Sequence, residues 1–120
     1  MNKYHNRKVK TSDGIIHDSR KEANRWLDLK LLQEAGKITD LKRQMDFLLI
    51  PPQYENLPQG RYKRPKRKLV ERACIYRADF VYHDEKGDIV VEDVKGVRTR
   101  DYVIKRKLML YTYGIRIKEI

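Results

Sequence analysis

The spacing of apolar residues changes several times along the chain, and each change marks an element. Residues 7 to 17 read as a small hairpin: "RKVK", a turn at Ser12-Asp13-Gly14, then "IIH". Ser19 is a good N-cap, and Ala23, Trp26, Leu27 and Leu31 then recur at helical spacing, with Gly36 as the stop. From Ile38 to Ile50 the pattern is extended, with Met45, Phe47 and Leu49 on one face, and Pro51-Pro52 ends it. Residues 51 to 68 carry Pro, Gly, Asn and basic residues without periodicity, which predicts a loop. Leu69 to Tyr82 and Ile89 to Lys95 read as strands, joined by a hairpin loop over Asp84 to Asp88 with Gly87 left-handed. Residues 101 to 112 predict a helix with Ile104, Leu108 and Tyr111 on its core side. Gly114 stops that helix, and "IRIKEI" closes as a short strand.

The order predicts a mixed α/β domain, with a helix on each side of a central mixed sheet, spanning residues 1 to 120. The hairpin around Gly87 also fixes a pairing. If Glu85-Lys86-Gly87 is the loop, Val81 faces Val91, Asp79 faces Asp93 and Arg77 faces Lys95. Directly opposed residues have Cβ atoms about 5 Å apart. Two carboxylates at about 5 Å repel by roughly 3 kcal/mol at an effective dielectric of 20. A divalent cation reverses the sign of that effect, and Mg²⁺ takes carboxylate, water and phosphate oxygens. An ordinary ion-pair cluster with Arg77 or Lys95 is the alternative.

Two further acids bear on this pair. Glu22 stands in the first helical turn, where Ser19-x-x-Glu22 is a capping box and where it can also complete a metal site. Glu92 should point away from Asp93, either solvated or paired with a helix residue. Gly96 lets the backbone turn sharply or lets a phosphate approach closely.

Charge narrows the partner. The net charge is +11 over 120 residues, and a polyanion is the expected partner. The charge is clustered: "RYKRPKRK" at 61 to 68 has six basic residues in eight, and Lys95 to Lys107 has six more against Asp101 alone. Cys74 is the only cysteine, so neither an internal disulfide nor a multi-Cys zinc site can form. His5, His17 and His83 lack metal-ligand spacing and are expected as surface or strand residues. No apolar run nears the ~20 residues of a membrane span. The polar N-terminus lacks a signal-peptide core, so a cytoplasmic protein is expected.

Asp79, then thirteen residues, then Asp93-Val94-Lys95 resembles the PD-(D/E)XK nuclease signature. The chain is also similar to a family of small phage and prophage proteins first catalogued as a domain of unknown function. The likeness rests on five ordered blocks, "DGIIHDSRKEA", "ITDLKRQ", "YRADFVY", "VVEDVKG" and "IKRKL", and covers most of the chain outside 51 to 68. Ala78 stands where the superfamily's name has Pro. The resemblance implies a restriction-endonuclease-like core and Mg²⁺-dependent phosphodiester hydrolysis, with Mn²⁺ as a substitute, leaving a 5′-phosphate and a 3′-hydroxyl. It implies Asp79, Asp93 and the Val94 carbonyl as metal ligands, with Glu22 binding directly or through water. Lys95 would act on the attacking water or on the developing charge, and Gln44 would place that water. It also implies a phage or prophage protein in a bacterial host cell.

Expected DNA contacts are Lys63, Arg64, Lys66, Arg67 and Lys68 in the basic segment, and Arg98, Arg100, Lys105, Arg106 and Lys107 after the catalytic strand. Nothing resembles a base-reading helix, so backbone or shape recognition is expected. The first reading is an endonuclease for branched or structured DNA such as Holliday junctions, and paired incisions would suit a homodimer. The second is a nucleic-acid-binding accessory protein that keeps the fold without cutting. The third is an RNA-binding or RNA-cutting protein.

Overall fold

A computed structural model describes residues 7–58, 60, 64–95 and 97–120. The hairpin is two short strands, β1 (Val9–Lys10) and β2 (Ile16–His17), with Gly14 at φ +88° in the turn. Helix α1 (Arg20–Glu34) follows, its N-cap Ser19 accepting a 3.1 Å hydrogen bond from the Glu22 N–H. The hairpin is fastened to this helix by Asp13, which accepts from Trp26 Nε1 at 2.7 Å and pairs with Lys30 at 3.1 Å.

Four strands make the central sheet: β3 (Thr39–Ile50), β6 (Cys74–His83), β7 (Ile89–Asp93) and β8 (Lys118–Glu119), in the order β3-β6-β7-β8. The first two interfaces are antiparallel, and β8 joins β7 in parallel after the crossover through α2 (Arg100–Tyr113). The sheet is therefore mixed and the class is mixed α/β. Gly114, left-handed at φ +68°, ends α2, as expected for a glycine at that position.

Three expectations are corrected. Residues 51 to 68 are not simply a loop, and Leu69 to Tyr82 is not one strand. Strand β4 (Gln53–Asn56) pairs with β5 (Arg67–Glu71) in a separate two-stranded ribbon, and the chain re-enters the sheet at Cys74. Every ribbon residue is exposed. With neither face buried, no alternation of apolar and polar residues was needed to form it. The helix faces are also rotated by a step. In α1 the buried residues are Glu22, Ala23, Trp26 and Leu29, whereas Leu27 and Leu31 are exposed. In α2 they are Tyr102 and Met109, whereas Ile104 and Tyr111 are exposed.

The apolar side chains form two clusters. One gathers Trp26, Leu29, Ile38, Phe80 and Tyr82 under α1. The other gathers Phe47, Leu49, Tyr76, Ala78, Val81, Val91, Tyr102, Met109 and Ile117 under α2. Alternation along a strand should keep residues i and i+2 on one face. In β6, however, Tyr76 and Ala78 join the α2 cluster while Phe80 and Tyr82 join the α1 cluster. In β3, Leu41 packs under α1 but Met45, Phe47 and Leu49 lie under α2. Both strands change sides at one level, between the pairs Arg43–Phe80 and Met45–Ala78, and pairing resumes in the same register. Gln44 and Asp79 occupy that level, and Gln44 has φ +54°, a left-handed conformation uncommon for a side chain of its kind.

Candidate active site

The crossover level is where the acids meet. The β6–β7 register has Val81 opposite Val91 and Phe80 opposite Glu92, as the hairpin rule predicts. Asp79 and Asp93 are the next residues along, where the two strands stop pairing. Asp79 accepts a 2.7 Å hydrogen bond from the backbone N–H of Val94. Burial raises its pKa to about 7, opposed by that hydrogen bond and by Lys95 and reinforced by the charges of Asp93 and Glu22. Asp79 thus senses one acid on each side of the sheet, and no arginine or lysine pairs with it among the described residues.

Asp93 is buried on the α2 side. Its Oδ2 accepts from the Tyr76 hydroxyl at 2.5 Å. Its Oδ1 lies 3.2 Å from Lys95 Nζ but makes no hydrogen bond. Lys95 Nζ also stands 4.5 Å above the Tyr102 ring. Arg77, expected beside Lys95, instead pairs with Asp46 across β3–β6 at 2.7 Å, on the exposed surface.

Glu22 reaches the level from α1. It is buried, and Gln44 Nε2 donates to its Oε1 at 3.2 Å. Burial first, then Asp18, raises its pKa. His17 Nδ1 lies 3.9 Å from the same oxygen, and burial lowers the His17 pKa, which favours the neutral ring. His17 is therefore a strand residue, as expected, but a wholly buried one. His5 and Lys63 lie outside the described residues. Glu92 pairs with a helix residue: Arg25 Nε and Nη2 donate to its two oxygens at 2.7 and 2.6 Å, and the Tyr82 hydroxyl donates as well.

The site thus gathers Glu22, Gln44, Asp79, Asp93, Lys95 and the Val94 backbone. Sequence reasoning missed Tyr76, His17 and Tyr102. Tyr76 and Tyr102 had no local signal, since only tertiary packing brings them to Asp93 and Lys95.

The donor set is made of hard oxygens, the kind Mg²⁺ and Mn²⁺ take. As the side chains stand, no three His, Cys, Asp or Glu residues among those described converge closely enough to hold an ion. Asp93 Oδ1 is buried without a hydrogen bond, 3.2 Å from the Lys95 ammonium, and Asp79 has no arginine or lysine within ion-pair distance among the described residues.

A cleft of about 260 Å³ opens beside Asp93, lined by Tyr76, Lys95, Thr99, Tyr102, Lys105 and Arg77 among others. Of the expected DNA contacts, Lys105 lines this cleft, and Arg100 and Lys107 are exposed on α2. Arg98 and Arg106 both pair with Glu119, at 3.0 and 3.4 Å. Arg64, Lys66, Arg67 and Lys68 lie far along the chain from the cleft, within and before β5. No helix among the described residues is long and apolar enough to cross a membrane.

Comparison with curated proteins found no match, and comparison with solved structures found none. One family model, described as a protein of unknown function (DUF1064), matches residues 1–118. The chain belongs to the DUF1064 family.

Proposed function

We propose that this protein is a metal-dependent endonuclease that hydrolyses DNA phosphodiester bonds, with the restriction-endonuclease-like core and PD-(D/E)XK chemistry its sequence resembles. The observation that carries this reading is the pairing of Asp79, whose pKa is raised to about 7, with the buried Asp93 at the frayed end of β6–β7, next to Lys95. Ionised Asp79 costs the fold stability at neutral pH, and groups with strongly perturbed pKa cluster at functional sites. Asp79, Asp93, Glu22 and the Val94 carbonyl would hold Mg²⁺ or Mn²⁺. When bound, the ion would supply Lewis acidity and lower the pKa of water.

The chain's own residues divide the remaining work. Tyr76 orients Asp93 through its hydroxyl, and Gln44 orients Glu22. Lys95, on the wall of the cleft, presents a cation where the scissile phosphate gains negative charge. Lys105 on the same wall, with Arg100 and Lys107 on α2, supplies phosphate contacts that position the backbone. Branched DNA such as a Holliday junction is the proposed substrate, cut by a homodimer in the cytoplasm of a bacterial host.

The experiment is a panel of linear, plasmid, flap and four-way substrates with EDTA, Mg²⁺ or Mn²⁺. Cleavage that requires metal, and is greatest on branched DNA, is expected. No cleavage of any substrate, with binding retained, would move the assignment to a non-cutting accessory protein.

A further inference from the structure

Among the described residues, the β4–β5 ribbon is not packed on the sheet or the helices, and its strands pack on each other. The radius of gyration is 18.9 Å, against about 14 Å for a compact chain of this length. An isolated two-stranded ribbon is marginally stable in water. An exposed one with Tyr54, Leu69 and Val70 on its surface is suited to lie against something.

Register sets out what it presents. Asn56 faces Arg67 and Tyr54 faces Leu69 on one side, while Glu55 faces Lys68 on the other. The Arg67 guanidinium lies 3.9 Å above the Tyr54 ring. That stacking holds its donors in a fixed plane and leaves its edge available to a phosphate. Arg64 and Lys68 are exposed too, Lys68 on the opposite face of the ribbon. Between 53 and 71 there are six basic residues against two acidic ones, so two such arms repel each other and a polyanion attracts them. A two-stranded ribbon also matches the width of the DNA major groove.

We infer that the β4–β5 ribbon is an arm that grips duplex DNA at a distance from the cleavage site. The inference rests on the DNA reading above and adds a substrate preference to it. From Lys68 to Asp79 the chain runs about eleven residues, which reach at most ~38 Å. That is about one turn of duplex. The grip therefore falls within about one turn of the cut, and a duplex long enough to lie along both the arm and the cleft gains contacts that a shorter one lacks.

The test uses the full chain in EDTA, so that cutting plays no part. Fluorescence anisotropy measures binding to labelled duplexes of 8 and 24 base pairs over a range of salt, for wild type and for Arg64→Gln/Arg67→Gln/Lys68→Gln. The triple variant should lower the salt slope on the long duplex by about 2–3, near 0.9 per lost phosphate contact. It should weaken that binding at least tenfold and change binding to the short duplex much less. Each single Gln variant should lower the slope by about one, which keeps the test open if the triple variant does not fold. Arg67→Lys/Lys68→Arg should keep the slope. Equal slopes for wild type and the Gln variants overturn the arm. So does a loss of self-association in the Gln variants with DNA binding intact, which would make a second copy of the chain the occupant. Wild type that binds with the expected slopes yet never cuts with Mg²⁺ leaves the arm standing and removes only the nuclease reading.

Discussion

Asp79 Oδ2 and the backbone N–H of Val94 are 2.7 Å apart, so the carboxylate of one strand is held at the frayed end of the next. Burial there, with Asp93 and Glu22 nearby, raises the pKa to about 7. The folded state then holds this proton more tightly than the unfolded chain, where an aspartate titrates near 4. The group's contribution to stability is full below about pH 4 and is lost as pH rises through 7. Urea midpoints in EDTA should fall between pH 4.5 and 7.5, and Asp79→Asn should flatten that dependence. At pH 7.5 the variant should be more stable than wild type by on the order of 1 kcal/mol, while losing cleavage. An unchanged pH profile in the variant would contradict the placement of this acid.

Asp93→Ala should reduce cleavage by at least a hundredfold and leave DNA binding in EDTA within about twofold. Gel-based cleavage and anisotropy on the same preparations separate the two effects. Cleavage at the wild-type rate in Asp93→Ala would remove Asp93 from the site.

Tyr76→Phe deletes the donor to Asp93 Oδ2 and leaves a buried carboxylate oxygen without it. The expected cost is about 1–3 kcal/mol in EDTA. A cation at Asp93 would restore a partner, so Mg²⁺ should raise the melting temperature more in the variant than in wild type. No Mg²⁺ shift in either protein would mean that Asp93 meets no metal.

Arg25→Ala strands Glu92, which is wholly buried with its two oxygens on that guanidinium. Breaking such a pair costs about 3–5 kcal/mol, visible as a lower urea midpoint. Arg77→Ala removes a pair of similar geometry at the surface, and its midpoint should stay within error of wild type.

The hairpin register was legible because a tight loop fixes it. Val81 opposite Val91 follows from the position of Gly87, but the ladder ends at Phe80 and Glu92, so the expected facing of Asp79 and Asp93 lies just beyond the paired residues. The caps at Ser19 and Gly114 were legible for the same local reason. The helix faces were legible only in part, since Ala23 and Trp26 are buried and Leu108 packs on the core as expected. Leu27 and Leu31, or Ile104 and Tyr111, satisfy helical spacing as well as the residues that are buried, and only the shape of the opposing sheet chooses between them. The ribbon was hidden because exposed strands carry no alternation. Tyr76 escaped because its side of the sheet depends on the change of faces at Gln44 and Asp79, which no run of residues announces.

That change of faces divides the interior into two compartments, one per helix, with a seam running across the middle of β3 and β6. Along a seam neither compartment needs an apolar plug, so ionisable groups can be housed without hollowing out either one. The same seam makes the acids answerable to both halves of the molecule. A repacking under Trp26 or under Met109 would shift one wall of the site relative to the other, and loss of activity from such remote changes would mark the seam as a working part.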